Sequence, residues 1–161
     1  MFMSHHWIRS WYDHCYRGAR TAFIPVVLLL MLPAQAQVAD AKAEALVEAL
    51  RLSAPKTGIP NDGLYSDWKI KPDNIARWSK RCSGRELTPT EFESNPLLAR
   101  QILVCVMGRV LREQFAASNN NEVVAVQRAA AWWMTGDPSQ YNIPPTSVYT
   151  LKVLESYLRF F

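Results

Sequence analysis

Residues 95–118 read NPLLARQILVCVMGRVLREQFAAS, and this stretch predicts the longest helix of the chain. Asn95 and Pro96 are typical of a helix start, because Asn caps unpaired backbone N–H groups and Pro is tolerated at the first helical position. Apolar residues then recur at spacings of three and four, which places them on one buried face. We therefore expect this helix to lie in the core. Its core stripe is Ala99, Ile102, Leu103, Val106 and Val110.

Three helical patterns precede the long helix. The first covers 40–52, with Asp40 as the expected cap, and the second covers 72–84, from a proline start to a glycine stop. A short third helix begins at Thr88, since Thr88 and Glu91 have the spacing of a capping box. The Pro- and Gly-containing residues between the first two helices indicate a linker or surface loop, so the docking of the first helix is left open.

Two helical patterns follow the long helix. One covers 122–135 and stops at Gly136, and the other begins at Thr146 and runs to the end of the chain. No segment of convincing length alternates apolar and polar residues as a strand does. The predicted buried face of the last helix is Val153, Leu154, Tyr157 and Phe161.

These patterns predict an all-α fold, a single compact bundle of about four to five helices with one disulfide. The chain divides into a cleavable signal segment (1–36), the first helix with its Pro/Gly linker (37–71), and a disulfide-stapled helical core (72–161). Without the signal segment, the remaining length suits one domain rather than two.

The first 36 residues resemble a secretory signal peptide. A basic front is followed by an apolar run over 22–32 and by Ala34-Gln35-Ala36, a typical cleavage site. The apolar run is shorter than the roughly 20 residues that a membrane-spanning helix needs. We therefore expect a periplasmic or secreted protein. The alternative is an uncleaved leader that tethers the protein to the membrane.

Removal of the predicted signal segment (1–36) would exclude several functions. All three histidines lie in it, so the exported chain has no Ser-His-Asp triad, Cys-His pair or histidine-ligated metal site. No phosphate-binding glycine motif is present. We expect no metal and no cofactor.

The exported chain keeps two cysteines, Cys82 and Cys105. In an oxidising compartment such a pair predicts a disulfide, and the Cys-x-x-Cys spacing of redox enzymes is absent. Cys105 neighbours Ile102 and Val106 on the long helix, so we expect it to face the core or nearly so. The disulfide would then join two helices that already pack together.

Acid chemistry is the first candidate function. Glu93-Ser94 resembles the Glu-Ser pair of lytic transglycosylases, over two residues and without the glycine-rich motifs of that group. Glu93, or less favourably Glu86, would be the acid of a peptidoglycan-cleaving glycosidase. A solvent-facing cap or turn position is the preferred interpretation of these glutamates, and Glu91 is already explained by its capping box.

Basic residues form the second candidate, since six of them fall between residues 69 and 85. Several share one helical face, which suits an anionic wall polymer, a lipid headgroup or an acidic protein surface. A nearly balanced total charge and export both argue against nucleic acid. We call this set the basic cluster: Lys69, Lys71, Arg77, Lys80, Arg81 and Arg85.

Aromatic residues form the third candidate. Trp132 and Trp133 are adjacent, so they point about 100° apart on a helix and cannot both centre on the same stripe. Trp133 is expected in the core, whereas Trp132 could share a groove with Tyr141 and contact sugar or peptide.

The leading hypothesis is a small exported protein without catalysis that binds a partner protein or an anionic envelope component. It would touch a membrane only peripherally or through an uncleaved leader. The glycosidase is the first alternative, and a membrane-tethered assembly subunit is the second.

Overall fold

The computed structural model describes residues 34–59 and 62–161. Within these residues the chain is helical and has no strand, only a single antiparallel bridge between Tyr65 and Ile70. The predicted all-α class is confirmed. The helices are α1 (Ala34–Ser53), α2 (Pro72–Ser83), α3 (Pro89–Ser94), α4 (Pro96–Ala117), α5 (Glu122–Thr135) and α6 (Thr146–Tyr157), with short 3-10 helices at Pro138–Asn142 and Leu158–Phe160.

The helix ends follow the local signals in the sequence. Thr88 accepts the backbone N–H of Glu91, and the Glu91 carboxylate accepts the N–H of Thr88, which completes the predicted capping box of α3. Asn95 caps α4 through the N–H of Leu98. Gly84 ends α2 with a φ of 76°, a left-handed conformation that glycine adopts without steric cost.

The first helix differs from its prediction. α1 begins at Ala34, so Asp40 is exposed inside the helix, and its expected role as cap is wrong. A favourable helical sequence continues upstream of Asp40, because residues 34–39 contain no proline or glycine. The basic front and apolar run of the predicted signal segment lie outside the described residues. None of the helices in the described part of the chain is long and apolar enough to cross a membrane.

The core is built around α4, which packs against α1, α2 and α5. All five residues of its predicted stripe are buried. α1 is docked on the body, since Leu46 and Val47 are fully buried and Lys42 forms an ion pair of 2.6 Å with Glu122 of α5. α6 closes the bundle by packing on α1 and α5.

The end of α6 matches its prediction in part. Val153, Leu154 and Tyr157 are buried, but Phe161 is 70% exposed, so its predicted place in the core is wrong. After Tyr157 the backbone tightens into a 3-10 helix, whose three residues per turn rotate the following side chains off the α-helical stripe.

The disulfide between Cys82 and Cys105 is present and joins α2 to α4, with the two Cα atoms 6.1 Å apart. The expectation that Cys105 faces the core is wrong, because this residue is exposed. Ile102 and Val106 occupy the buried face, and one residue step turns Cys105 about 100° away from Val106. The disulfide therefore ties the two helices together at their outer edge.

Candidate functional site

The segment between α1 and α2 is anchored to the body rather than being an open linker. Tyr65 and Ile70 exchange two backbone hydrogen bonds of 3.0 Å, which close a tight turn. Trp68 of this turn is buried, and its indole N–H donates to the Val47 carbonyl oxygen at 2.8 Å. The buried Trp68 therefore holds the turn that carries Lys69 against α1.

The Asp62 side chain also stabilises this turn. Its carboxylate accepts hydrogen bonds from the Thr57 hydroxyl at 2.6 Å, the Lys69 ammonium at 3.0 Å and the Leu64 backbone N–H at 3.0 Å. These donors, Thr57 first, lower the pKa of Asp62 to about 2. Lys69 is thus already paired with a counter-charge.

A cleft of about 510 Å³ opens where this turn meets α2, α5, α6 and the end of α1. We call it the aromatic cleft, since its walls include Trp68, Trp78, Trp133 and Tyr149. Trp78 contacts two other tryptophans. Its ring centroid lies 5.5 Å from that of Trp133 and 6.1 Å from that of Trp132. Such distances are typical of favourable aromatic pairs.

The polar side chains that line the aromatic cleft are lysine ammonium groups, one asparagine amide and hydroxyls. Lys69 and Lys71 line it together with Asn74, and among the described residues no Asp or Glu does. Ser53 also lines it, at 3% exposure, and its hydroxyl has no hydrogen-bond partner in the described chain. Burial raises the pKa of the Tyr149 hydroxyl well above its usual range, so this group is neutral at physiological pH.

The glutamates of the acid hypothesis lie elsewhere. Glu93 is exposed and lines a second cleft of about 630 Å³, which we call the loop cleft, beside Trp68 and Lys69. Its carboxylate accepts the backbone N–H of Ser66 at 3.3 Å. Glu86 is exposed and lines neither cleft.

Glu91 has a structural role. Arg85 forms an ion pair of 2.7 Å with it, and Thr88 donates to it from both its backbone N–H and its hydroxyl. The hydrogen bond from Arg85, followed by those from Thr88, lowers the pKa of Glu91 to about 2. A carboxylate held this way suits a helix cap.

The structure divides the basic cluster into three parts. Arg77, Lys80 and Arg81 are exposed on α2, on the side opposite to the buried residues Ile75 and Trp78. Arg77 donates to the Asn74 side chain at 2.6 Å, whereas Lys80 and Arg81 have no ion pair with any described residue. The remaining members lie at the aromatic cleft (Lys69, Lys71) or pair with Glu91 (Arg85).

The two predicted aromatic site residues have separate surroundings. Trp132 is half-buried and stacks on Trp78 of α2. Tyr141 lies in the 3-10 helix after α5, where the Arg128 guanidinium is 5.8 Å from its ring centroid. Trp133, expected in the core, is half-buried and forms part of the aromatic cleft.

Sequence reasoning gave no site role to most residues of the aromatic cleft, among them Ser53 and Tyr149. Ser53 closes α1, and nothing in its local sequence distinguishes it from a surface serine. Tyr149 stands four residues before the buried Val153, a helical spacing that could have placed it near the core side of α6.

The described residues contain no group of three or more His, Cys, Asp or Glu side chains placed to hold a metal ion. Comparison with family models, curated proteins and solved structures finds no match to the chain.

Proposed function

We propose that the protein is an exported, non-catalytic binding protein that contacts an anionic component of the cell envelope through α2. One observation carries the proposal: Lys80 and Arg81 are adjacent, exposed and without an ion-pair partner among the described residues. Arg77 lies beside them on the same face.

The placement of these charges supports this function. The three cations project away from Ile75 and Trp78, so they contribute nothing to the core that α2 helps to build. Their positive charges add up, and the resulting potential concentrates anions near the helix. Arg85 lies just beyond the end of the helix and can extend this surface, although Glu91 offsets part of its charge.

Location in the envelope rests on two features. The sequence of residues 1–36 has the layout of a secretory signal peptide, and the protein has a disulfide, which forms and persists in oxidising compartments.

Co-sedimentation with purified cell-wall fragments and with phosphatidylglycerol vesicles tests the proposal. The variant Lys80→Gln/Arg81→Gln/Arg85→Gln is expected to lose most of its association with at least one of these surfaces. The matched control Lys56→Gln/Arg112→Gln/Lys152→Gln removes the same charge from exposed positions elsewhere and is expected to keep it.

Two outcomes would contradict the proposal. Equal losses in both triple variants would show a general charge effect, and wild-type protein that sediments with neither surface would show that α2 binds no such component. Trp132→Ala tests the predicted aromatic contact separately and is expected to reduce association only where sugar or peptide is present.

A peptidoglycan-cleaving activity is the second candidate, favoured by the presence of Glu93 in the loop cleft. The exposure of Glu93 argues against it, because the acid of a glycosidase normally lies in an apolar pocket. Soluble sugar products released from peptidoglycan by wild-type protein but not by Glu93→Gln would establish this activity. Absence of products, or equal products from both proteins, would exclude it.

A further inference from the structure

We propose that the outer face of α6 is the interface of a symmetric dimer, in which a second copy of the chain packs its own α6 antiparallel to the first. The inference goes beyond the proposed function, because it concerns a different helix and a different partner. It rests on the exposed apolar residues of α6 and on the charges beside them.

Apolar side chains are concentrated on this surface. More than half of the exposed large apolar side chains in the described chain lie between residues 143 and 161. Val148, Leu151 and Leu158 are separated by three and seven residues, which places them on one side of the helix. Phe161 joins them, because the three residues per turn of the 3-10 helix after Tyr157 bring it into line with Leu158. We call these four residues the α6 stripe, and each of them is more than half exposed.

The spacing of the α6 stripe matches itself when the helix is reversed. Leu151 lies as far before the midpoint between residues 154 and 155 as Leu158 lies after it, and the same holds for Val148 and Phe161. In an antiparallel pair about this midpoint, Leu151 of one copy therefore meets Leu158 of the second copy. Val148 likewise meets Phe161. A two-fold interface needs such a self-complementary surface.

Charges beside the stripe favour the antiparallel arrangement. Lys152, Glu155 and Arg159 are exposed and share a face at helical spacing. Glu155 pairs with Arg159 at 2.6 Å, whereas Lys152 has no ion-pair partner among the described residues. In the antiparallel pair each Glu155 lies between Arg159 of its own helix and Lys152 of the second copy. A parallel pair would instead place each of these charges beside its own like.

The short length of α6 sets the strength of the dimer. The helix has 12 residues, so a pair of them buries less than the roughly 1,600 Å² of a standard interface. We therefore expect a dissociation constant in the micromolar range. Envelope association is measured below this constant, where the protein is monomeric, so failure of one proposal is distinguishable from failure of the other.

Sedimentation equilibrium of the full chain between about 1 µM and about 1 mM measures the dimer. Leu151→Gln/Leu158→Gln is expected to raise the dissociation constant on the order of tenfold or more, because both copies lose apolar contacts. The matched control Leu52→Gln/Leu97→Gln replaces two exposed leucines outside the α6 stripe and is expected to leave the constant unchanged.

A charge exchange tests the antiparallel register. Glu155→Lys leaves only cations beside the stripe and is expected to raise the dissociation constant on the order of fivefold. Lys152→Glu/Glu155→Lys is expected to recover most of this loss, since opposite charges again come together across the interface.

Three results would overturn the proposal. They are a wild-type protein that stays monomeric at every concentration, equal effects of the two leucine double variants, and a charge-exchanged variant that dimerises no more tightly than Glu155→Lys. A monomeric wild type that sediments with phosphatidylcholine vesicles, and loses this association in Leu151→Gln/Leu158→Gln, would assign the α6 stripe to a lipid surface instead.

Discussion

Replacing both Cys82 and Cys105 with alanine is expected to lower the free energy of unfolding by about 3 kcal/mol, because the disulfide restricts the unfolded chain. The two cysteines are 23 residues apart in sequence. Loop-closure entropy for a ring of that length gives this value at 25 °C. Cys105 is exposed and Cys82 half-buried, so alanine at these positions removes little buried apolar surface. The loss should therefore come almost entirely from the cross-link.

Urea denaturation followed by circular dichroism at 222 nm, a wavelength that reports helix, measures this loss. The double variant should also melt roughly 10 °C lower than the oxidised wild type. Reduced wild-type protein is the control and should match the double variant, because it lacks the cross-link but keeps both sulfur atoms. An unfolding free energy of the double variant within about 1 kcal/mol of the oxidised wild type would refute the entropic argument.

Further predictions concern the core, the cap of α3 and the partly exposed ion pair between Lys42 and Glu122. Phe92→Ala should destabilise the protein by about 3–5 kcal/mol in urea titrations, since this ring is fully buried. Thr88→Ala should cost about 1 kcal/mol in the same assay by removing the capping box of α3. Tyr157→Phe should cost about 1 kcal/mol, because the Tyr157 hydroxyl donates to Glu122 at 2.6 Å. Burial alone would raise the pKa of Glu122, but hydrogen bonds from Lys42 and Tyr157 lower it. Its stabilising contribution is therefore complete above the usual pKa of a glutamate and is lost as the pH falls through the lowered pKa of Glu122, so Glu122→Gln should flatten the acid side of a plot of unfolding free energy against pH.

Helix boundaries that have a local capping signal were the most predictable part of the fold, whereas the start of α1 and the end of α6 were misplaced. The capping box of Thr88 and Glu91 and the glycine stop at Gly84 involve residues within a few positions of one another. The disulfide was predictable because only two cysteines follow the predicted signal segment.

Features that depend on tertiary packing could not be predicted from the spacing of residues in the sequence. The contact between Trp78 and Trp133 joins residues 55 positions apart, and only the packing of α2 near α5 brings them together. The orientation of Cys105 was misjudged because adjacent helical positions differ by about 100°, which separates a core position from an exposed one. The error at Phe161 arose because the periodic pattern gave no sign that α6 would change to a 3-10 helix.

The candidate sites were predictable to different degrees. Exposure of Lys80 and Arg81 follows from the amphipathic pattern of α2, which the sequence contains. The aromatic cleft is built from five separate parts of the chain, so no single sequence motif predicts it. Ser53 in particular cannot be distinguished from a surface serine until its burial is known from the structure.

The salt dependence of binding to anionic surfaces tests the central claim most directly. Exposed charges are screened beyond about 10 Å at 0.1 M salt. Association of the wild-type protein with wall fragments or phosphatidylglycerol vesicles should therefore weaken steadily as salt is raised, and Lys80→Gln/Arg81→Gln/Arg85→Gln should bind weakly at every salt concentration. Binding that is unaffected by salt, or equally strong in the triple variant, would contradict the claim that α2 recognises an anionic envelope component.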